Sequence, residues 1–415
     1  FGVDINPNAV KICRLRLWIE LLKNAYYTRE SGYSQLETLP NIDINIKQGN
    51  ALLHRIALGS SLQRILREAR IDLERYRDAV AKYKHATSKD EKEDLRKLIR
   101  EIKGQLRGEI DRHDPRLAQL SKKRTELEQL STQLFPPTKR EQKTHERQIA
   151  KLQKEIGKIE AELRELREGL AYRAAMEWRI EYPELLDGEG NFTGFDLVLG
   201  NPPYIHLQSL PSRPKEALQH QGYTTHDGNG DIYCLFYELG WQLLKEGGYL
   251  CYITSNKWMR AAYGQALRKF LASKTNPLLL VDFAGAKIFG SATVDTNILL
   301  FRKGEYRGQT RSAIYSKAEL PSNGDLSEWM ATHSVACSFT EAPWVVLDPI
   351  AQRIKAKVEA VGVPLRDWDI QINYGIKTGY NEAFVITTAK RDEILANCRD
   401  EAERARTGEL IRPVL

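Results

Sequence analysis

The residues best equipped for chemistry are Asn201-Pro202-Pro203-Tyr204, which follow the apolar run Phe195-Asp196-Leu197-Val198-Leu199-Gly200. The run predicts a strand, and the four residues then lie just beyond its carboxyl end, where open α/β sheets bind their ligands. Two successive prolines fix φ and remove two N–H donors, so the backbone there is stiff and rich in acceptors. An amine attached to an aromatic ring is a poor nucleophile. The Asn201 side chain and the Pro202 carbonyl can accept its two protons while the nitrogen moves toward sp3 geometry. Tyr204 adds a flat face on which a base removed from a duplex can stack. The competing description is a proline-rich strand-to-helix turn with a buried tyrosine; the apolar strand ahead of the loop favours the chemical one.

Positioning such a loop requires a sheet, and the surrounding texture supplies one. Phe1 to Ile5 predicts a short strand, Asn6-Pro7-Asn8 carries helix-start chemistry, and Ala9 to Ala25 has helical spacing. Ile42 to Ile46 alternates as a second strand ending in the turn Gly49-Asn50. Beyond the loop, helices are expected over Ile232 to Leu244 and Ala261 to Leu271. Strands are expected over Gly248 to Ile253, Leu278 to Phe283 and Asn297 to Phe301. The alternation points to a largely parallel, doubly wound sheet. Between its two parts, from about Ser60 to Leu170, the chain is heavily charged, with apolar residues stepping by three and four. Leu62, Leu66, Ala69, Leu73, Tyr76, Val80 and Tyr83 form one such run. Ile149, Leu152, Ile156, Ile159, Leu163, Leu166 and Leu170 form another. Breaks at Ser88-Lys89-Asp90, His113-Asp114-Pro115 and Phe135-Pro136-Pro137 predict three or four antiparallel helices. They serve either as a brace or as an arm that touches DNA or a partner. The expected division is a sheet domain over 1–53 and 191–340, the helical insertion with its lead-in over 54–190, and a separate domain starting at 341.

Composition removes several classes. Of 415 residues, 42% are hydrophobic and 28% charged, which excludes global disorder. No stretch of about 18 apolar residues is available to span a membrane. The five cysteines (Cys13, Cys234, Cys251, Cys337 and Cys398) are widely spaced, so no metal site and a reduced, cytoplasmic chain are expected. A net charge of +7 is compatible with a nucleic-acid partner. Arg213, Lys215, Lys257, Arg260 and Arg268 follow predicted strand ends, where phosphate contact and scattered solvated charge are the two readings.

With these residues in view, the chain resembles the S-adenosylmethionine-dependent amino-group methyltransferases, specifically the Eco57I-like DNA adenine-N6 methyltransferases of restriction-modification systems. The resemblance implies a Rossmann-like α/β fold, double-stranded DNA as partner, association with the nucleoid, and S-adenosylmethionine as methyl donor. It assigns catalysis to Asn201, Pro202, Pro203 and Tyr204, and contact with the flipped base to Tyr204 and Phe289. Asp4 resembles the carboxylate that takes the ribose hydroxyls, with Ile5 against the adenine. Asn50, next to Ala51, resembles the residue that hydrogen-bonds the adenine, and Phe236 matches the aromatic that packs on it. Asn201 borders the same site. Trp178-Arg179-Ile180-Glu181-Tyr182-Pro183-Glu184 looks like the family's lead-in to the catalytic strand, and Tyr374 to Phe384 resembles the opening of a target-recognition domain. Cofactor motifs first, catalytic loop second and recognition domain last is the γ-type order.

The family's glycine-containing cofactor loop belongs on the strand before Asp4, upstream of Phe1, so this chain by itself is expected to bind S-adenosylmethionine poorly. A nuclease site of paired carboxylates with a lysine is not evident, and cleavage would have to come from an upstream part. Two further readings stay open. One is a protein-glutamine N5 methyltransferase, which uses a similar loop on another planar amide. The other is a non-catalytic DNA-specificity or scaffold subunit working through the helical insertion, which could also mediate self-association.

Overall fold

The computed structural model describes residues 1–411 apart from 30, 35, 37, 38, 61, 133–138, 170, 171, 173, 285, 287, 289–293, 316–324 and 371–384. The chain forms two compact units, Phe1–Pro349 and Ile350–Leu415. The second unit carries helices over Thr388–Ala396 and Glu401–Leu410.

In the first unit, strand β1 (Gly2–Asp4) pairs in parallel with β2 (Ile46–Gln48), and helix α1 (Pro7–Asn24) joins them. Asn6 caps α1 by accepting from the Asn8 N–H, and Pro7 occupies the first turn, where its missing donor costs nothing. The alternating isoleucines before β2 do not all form strand. Ile42–Ile44 is a 3-10 turn, because the ladder with β1 begins only at Ile46, opposite Gly2, and β1 is three residues long. The Arg14 guanidinium gathers the carbonyls of Asp43 and Ile46 in compensation.

The main sheet has six strands. They are β3 (Phe195–Gly200), β4 (Leu244–Ser255), β5 (Thr275–Asp282), β6 (Thr296–Lys303), β7 (Thr310–Ile314) and β8 (Val335–Cys337), in spatial order β3-β4-β6-β5-β7-β8. The fold is mixed α/β, but the sheet is less parallel than the sequence pattern suggests. β3–β4 and β5–β7 are parallel, whereas β6 runs antiparallel between β4 and β5, and β8 is antiparallel to β7. The physical reason is the connections. Parallel neighbours need a crossover of a dozen or more residues, usually helical. The helix over Tyr233–Leu243 lies between β3 and β4, but no helix is described between β5 and β6, which pair directly. Leu250, Leu280, Leu299 and Phe301 fill the core with Trp258 and Trp344, whose rings meet edge to face at 5.1 Å. Residue 344 therefore belongs to the sheet's own core.

The two sheets are joined by side chains. Phe1 lies 4.8 Å from Tyr182 and 5.6 Å from Phe195, and Trp178 meets Phe195 edge-on at 6.2 Å. Such offset and edge contacts are worth about 0.5–1.5 kcal/mol each beyond burial.

The helical insertion splits into two parts. Gln63–Glu68, Leu73–His85 (α2) and Lys89–Arg112 (α3) share a core in which Tyr76, Val80 and Tyr83 pack with Ile99, Ile102, Leu106 and Ile110. Ile44, Ile180 and Leu186 enter the same core. Pro115–Ser131 and Lys139–Glu168 form a hairpin with its own small core of Leu120, Ile156 and Leu163. Two of the expected breaks are helix starts: Ser88 accepts from the Glu91 N–H, and Asp114 caps a helix with Pro115 in its first turn. The third break lies in 133–138, outside the described residues.

Gly264 sits where no side chain fits: an added Cβ would lie 1.9 Å from the Trp258 carbonyl oxygen. We expect Gly264→Ala to destabilise the sheet unit by about 1–3 kcal/mol, the usual cost of overpacking. Urea unfolding checks this, and an unchanged midpoint would contradict the packing described.

Candidate active site

β3 delivers the loop. After a register shift between Phe195 and Leu197 it pairs regularly with β4 from Leu197 opposite Tyr249 to Gly200 opposite Tyr252, and Asn201 to Tyr204 continue past the strand end. Asn201 is exposed, Pro202 buried and Tyr204 half-buried. The Tyr204 ring meets Tyr233 edge to face at 6.2 Å, and its hydroxyl lies 3.4 Å from the Ile253 carbonyl, at the outer limit of a hydrogen bond. Partial burial raises its phenol above the usual value, so it stays neutral.

The chain just after the loop is pinned. Ile232 N–H donates to Ile205 O and Leu207 N–H to Gly230 O, both at 2.9 Å, around an isolated bridge between His206 and Asp231. Asp231 is 4% exposed and takes the His206 Nδ1 at 2.9 Å on one oxygen and the Tyr263 hydroxyl at 3.0 Å on the other. Tyr263 and Tyr233 share a further hydrogen bond of 2.8 Å. Burial keeps both phenols protonated well above neutral pH. A chain of contacts thus runs from Asp231 through Tyr263 and Tyr233 to the ring of Tyr204. Sequence reading singled out none of His206, Asp231 or Tyr263 for a role. The signal available was weak, a lone aspartate ahead of a helix and a histidine two residues past the loop.

Of the other residues expected to hold a cofactor, Asp4, Ile5, Asn50 and Ala51 lie at or just past the carboxyl ends of β1 and β2, and Phe236 lies on the helix Tyr233–Leu243. Asp4 ends β1, is exposed, and accepts the Asn6 N–H on Oδ1 at 2.7 Å; its backbone oxygen accepts the Gly49 N–H. Ile5 is 62% exposed. Asn50 follows β2; its Oδ1 accepts from Leu52 N–H, and its Nδ2 has no hydrogen-bond partner among the described residues. Ala51 and the half-buried Phe236 border one apolar cluster with Leu52, Leu235 and Leu239. The structure thus brings Asn50, Ala51 and Phe236 round one cluster and ties Asp4 to it through Gly49. Phe289 and the Tyr374–Phe384 stretch lie outside the described residues.

The basic candidates separate. Arg213 and Lys257 are exposed, and Lys215 is partly so. Arg260 is exposed but reaches the fully buried Asp282 at 3.2 Å. Arg268 is 4% exposed, and its guanidinium donates to the carbonyls of Trp258, Ala261 and Glu341. It is consumed by the fold and is not available to phosphate. Among the described residues one group, Glu68, Glu109 and His113, offers metal-ligand atoms within 4.8 Å of one another; Arg64 and Arg112 already pair with its carboxylates. All five cysteines are free thiols, and no helix of the described residues is long and apolar enough to cross a membrane.

The chain has relatives of known name. The type II methyltransferase M.PaeR7I of Pseudomonas aeruginosa is 27% identical over 240 residues, covering 53% of this chain and 40% of that protein. The type II restriction enzyme and methyltransferase RM.Eco57I of Escherichia coli is 35% identical over 113 residues, covering 26% of this chain and 11% of that protein. The chain thus spans less than half the length of these relatives. A solved structure of the type IIG restriction endonuclease BpuSI is 22% identical over 29% of this chain and 15% of its own, with a TM-score of 0.25, too low to bear on the argument. The family model for the Eco57I restriction-modification methylase matches residues 1–289 of the 415, and by that match the chain belongs to this family.

Proposed function

We propose that this chain is the catalytic core of a site-specific DNA methyltransferase that modifies the N6 amine of a flipped adenine within a restriction-modification system. Family membership supports methyl transfer to DNA, and the loop supports the choice of an amine. The observation that carries the reading is the Asn201–Tyr204 segment, which follows β3 with Pro202 buried, Asn201 exposed and Tyr204 packed edge-on against Tyr233.

S-adenosylmethionine fits the groups present on its adenosine side. Asp4 keeps Oδ2 outside the bond to Asn6, Asn50 keeps its Nδ2 uncommitted among the described residues, and Phe236 offers a partly open ring. When bound, it supplies a methyl group already activated on a sulfonium. The chain's own part is alignment. The Asn201 side-chain oxygen and the Pro202 carbonyl accept hydrogen bonds from the two amine N–H groups and help free the nitrogen lone pair from the ring. Tyr204 holds the base by its face, and its neutral phenol brings no charge to repel the ring. The nitrogen becomes strongly acidic once alkylated, so its one surplus proton passes to solvent water and no strong general base is required. Exposed Arg213 and Lys257 suit the phosphate backbone, which positions a protein without reading sequence. In this reading the Ile350–Leu415 unit begins the part that reads the bases.

In the intact protein, Asn201→Ala should lower transfer of labelled methyl to unmodified DNA by about 10²–10³-fold, the typical cost of losing one aligned polar contact to the reacting group. Digestion to nucleosides locates the label. Label on adenine N6 supports the proposal, and label only in a peptide substrate, or unchanged modification by Asn201→Ala, overturns it.

Tyr204→Phe and Tyr204→Ala separate stacking from hydrogen bonding. The hydroxyl contact is marginal, so Tyr204→Phe should keep activity within about threefold. Tyr204→Ala should lose about 1–3 kcal/mol of base stacking, seen in kcat/KM for DNA.

A further inference from the structure

The Asn50 loop is held from outside its own sheet. Along residues 49–55, Gly49 N–H goes to Asp4 O, Leu52 O accepts from the Tyr223 hydroxyl at 2.9 Å and His54 O from the Gln221 amide at 3.0 Å, while the groups around Asn50 itself are met by residues 174–178. Asn50 N–H donates to Ala174 O at 2.5 Å, and Met176 N–H donates to Asn50 O at 3.1 Å. The Trp178 indole N–H donates to Ala51 O at 3.2 Å, and the buried Glu177 carboxylate accepts the Arg55 N–H at 2.8 Å. The segment acts as a third rail beside a loop that follows a three-residue strand, and it supplies the partners of both backbone groups of Asn50.

The other side of the same segment is bolted to the helical insertion. The Tyr76 hydroxyl of α2 donates to Ile180 O at 2.7 Å, buried at both ends. Glu181 is the hub. It takes Lys103 at 2.6 Å and Arg107 at 3.0 Å from α3, and Lys47 at 3.6 Å from β2. Burial alone would raise its carboxyl; Lys103 and Lys47 outweigh that and hold it below the usual carboxylate range. Burial, followed by the charge of Lys103, pushes Lys47 down to about 8. Further along, Arg77 donates to the carbonyls of Pro183 and Asp187, and Lys84 meets Glu184 at 2.8 Å. The Tyr182 hydroxyl returns to the β1–β2 pair through Gly2 O and Asn45 O.

We infer that the helical insertion, acting through residues 174–187, sets the shape of the Asn50 loop, and that Trp178 and Glu181 are positioning residues for the methyl donor's adenine. The inference rests on the reading of Asn50 as an adenine contact. Neither residue need touch the donor. Trp178 fixes the carbonyl next to Asn50, and Glu181 fixes the segment that carries Trp178 against α3 and β2. A net-positive trio closing on one carboxylate makes that attachment sensitive to loss of the carboxylate, since Lys47 and Lys103 would then face each other half-desolvated. The insertion is then part of the cofactor site's support as well as a spacer.

The test is calorimetric titration of S-adenosylhomocysteine into the intact protein and four variants, with methylation kinetics and melting temperature measured in parallel. Tyr76→Phe removes one hydrogen bond while keeping the ring, and Trp178→Phe removes the indole N–H together with part of the ring's volume, so the melting temperature measured in parallel separates the two effects. Each should raise the dissociation constant roughly two- to tenfold. Glu181→Gln should raise it at least as far. KM for S-adenosylmethionine should rise with it, while kcat at saturating donor and KM for DNA stay within about twofold. A purely structural role would lower the melting temperature and the active fraction without changing the affinity of the folded molecules. Asn50→Ala is the control. If it weakens binding while Trp178→Phe, Tyr76→Phe and Glu181→Gln all leave affinity unchanged, the positioning role is overturned and the Asn50 reading survives. If Asn50→Ala has no effect, the Asn50 reading itself fails and takes the inference with it.

Discussion

The end of the β3–β4 ladder is the constraint on which the rest depends. Of two successive strand residues one faces the neighbouring strand and must donate as well as accept, and neither Pro202 nor Pro203 has an N–H to offer. Pairing therefore stops with Gly200 opposite Tyr252, and the chain must leave the sheet at that point. The same feature that breaks the ladder leaves carbonyls without competing donors, so termination of the strand and construction of an acceptor-rich loop are one event. Everything downstream keeps that exit in one conformation. The 205–207 and 230–232 backbone pairs close the loop behind Tyr204, and Asp231, Tyr263 and Tyr233 stiffen the surface on which Tyr204 rests.

The unit solves a second problem, how to hold two parallel pieces of sheet that share no described backbone ladder. β1 and β2 are three residues each, too short to be stable by pairing alone. Phe1, Trp178, Tyr182 and Phe195 supply apolar contact between the pieces, and the insertion supplies polar contact through Glu181 and Tyr182. Individual ion pairs of this kind are worth little when exposed. Here Glu181, Lys47 and Lys103 are 11–16% exposed and mutually dependent, so their value lies in fixing which residues meet. The proximal helices thereby share a core with Ile44, Ile180 and Leu186, while the distal hairpin has a separate small core of its own.

Much of the site was legible in the one-dimensional pattern for reasons that are local. A run such as Phe195 to Gly200 followed by Asn-Pro-Pro-Tyr carries its own strand, its own stop and its own acceptors. Asn6-Pro7-Asn8, Ser88 and Asp114-Pro115 mark helix starts by capping chemistry that acts over three or four residues. Where the reading went astray, the deciding partner was distant. Ile42 and Ile44 have the alternation of a strand, yet β1 reaches back only as far as Gly2 opposite Ile46, so they turn instead. Arg268 looks like a free cation after a strand, but three carbonyls from 258, 261 and 341 converge on it.

What the sequence by itself determined is therefore the strand that leads into the loop, the helix starts and the loop's lack of N–H donors, because propensity, capping and proline geometry act within a few residues. Only the tertiary structure decided strand order, the antiparallel placement of β6 and the role of the insertion. Those outcomes depend on contacts between residues tens to more than a hundred positions apart, such as Ala51 with Trp178, Tyr76 with Ile180, and Lys47 and Lys103 with Glu181. No local pattern encodes such meetings, because each partner taken alone reads as an ordinary helix or strand residue. Their energy appears only when the whole core closes around them.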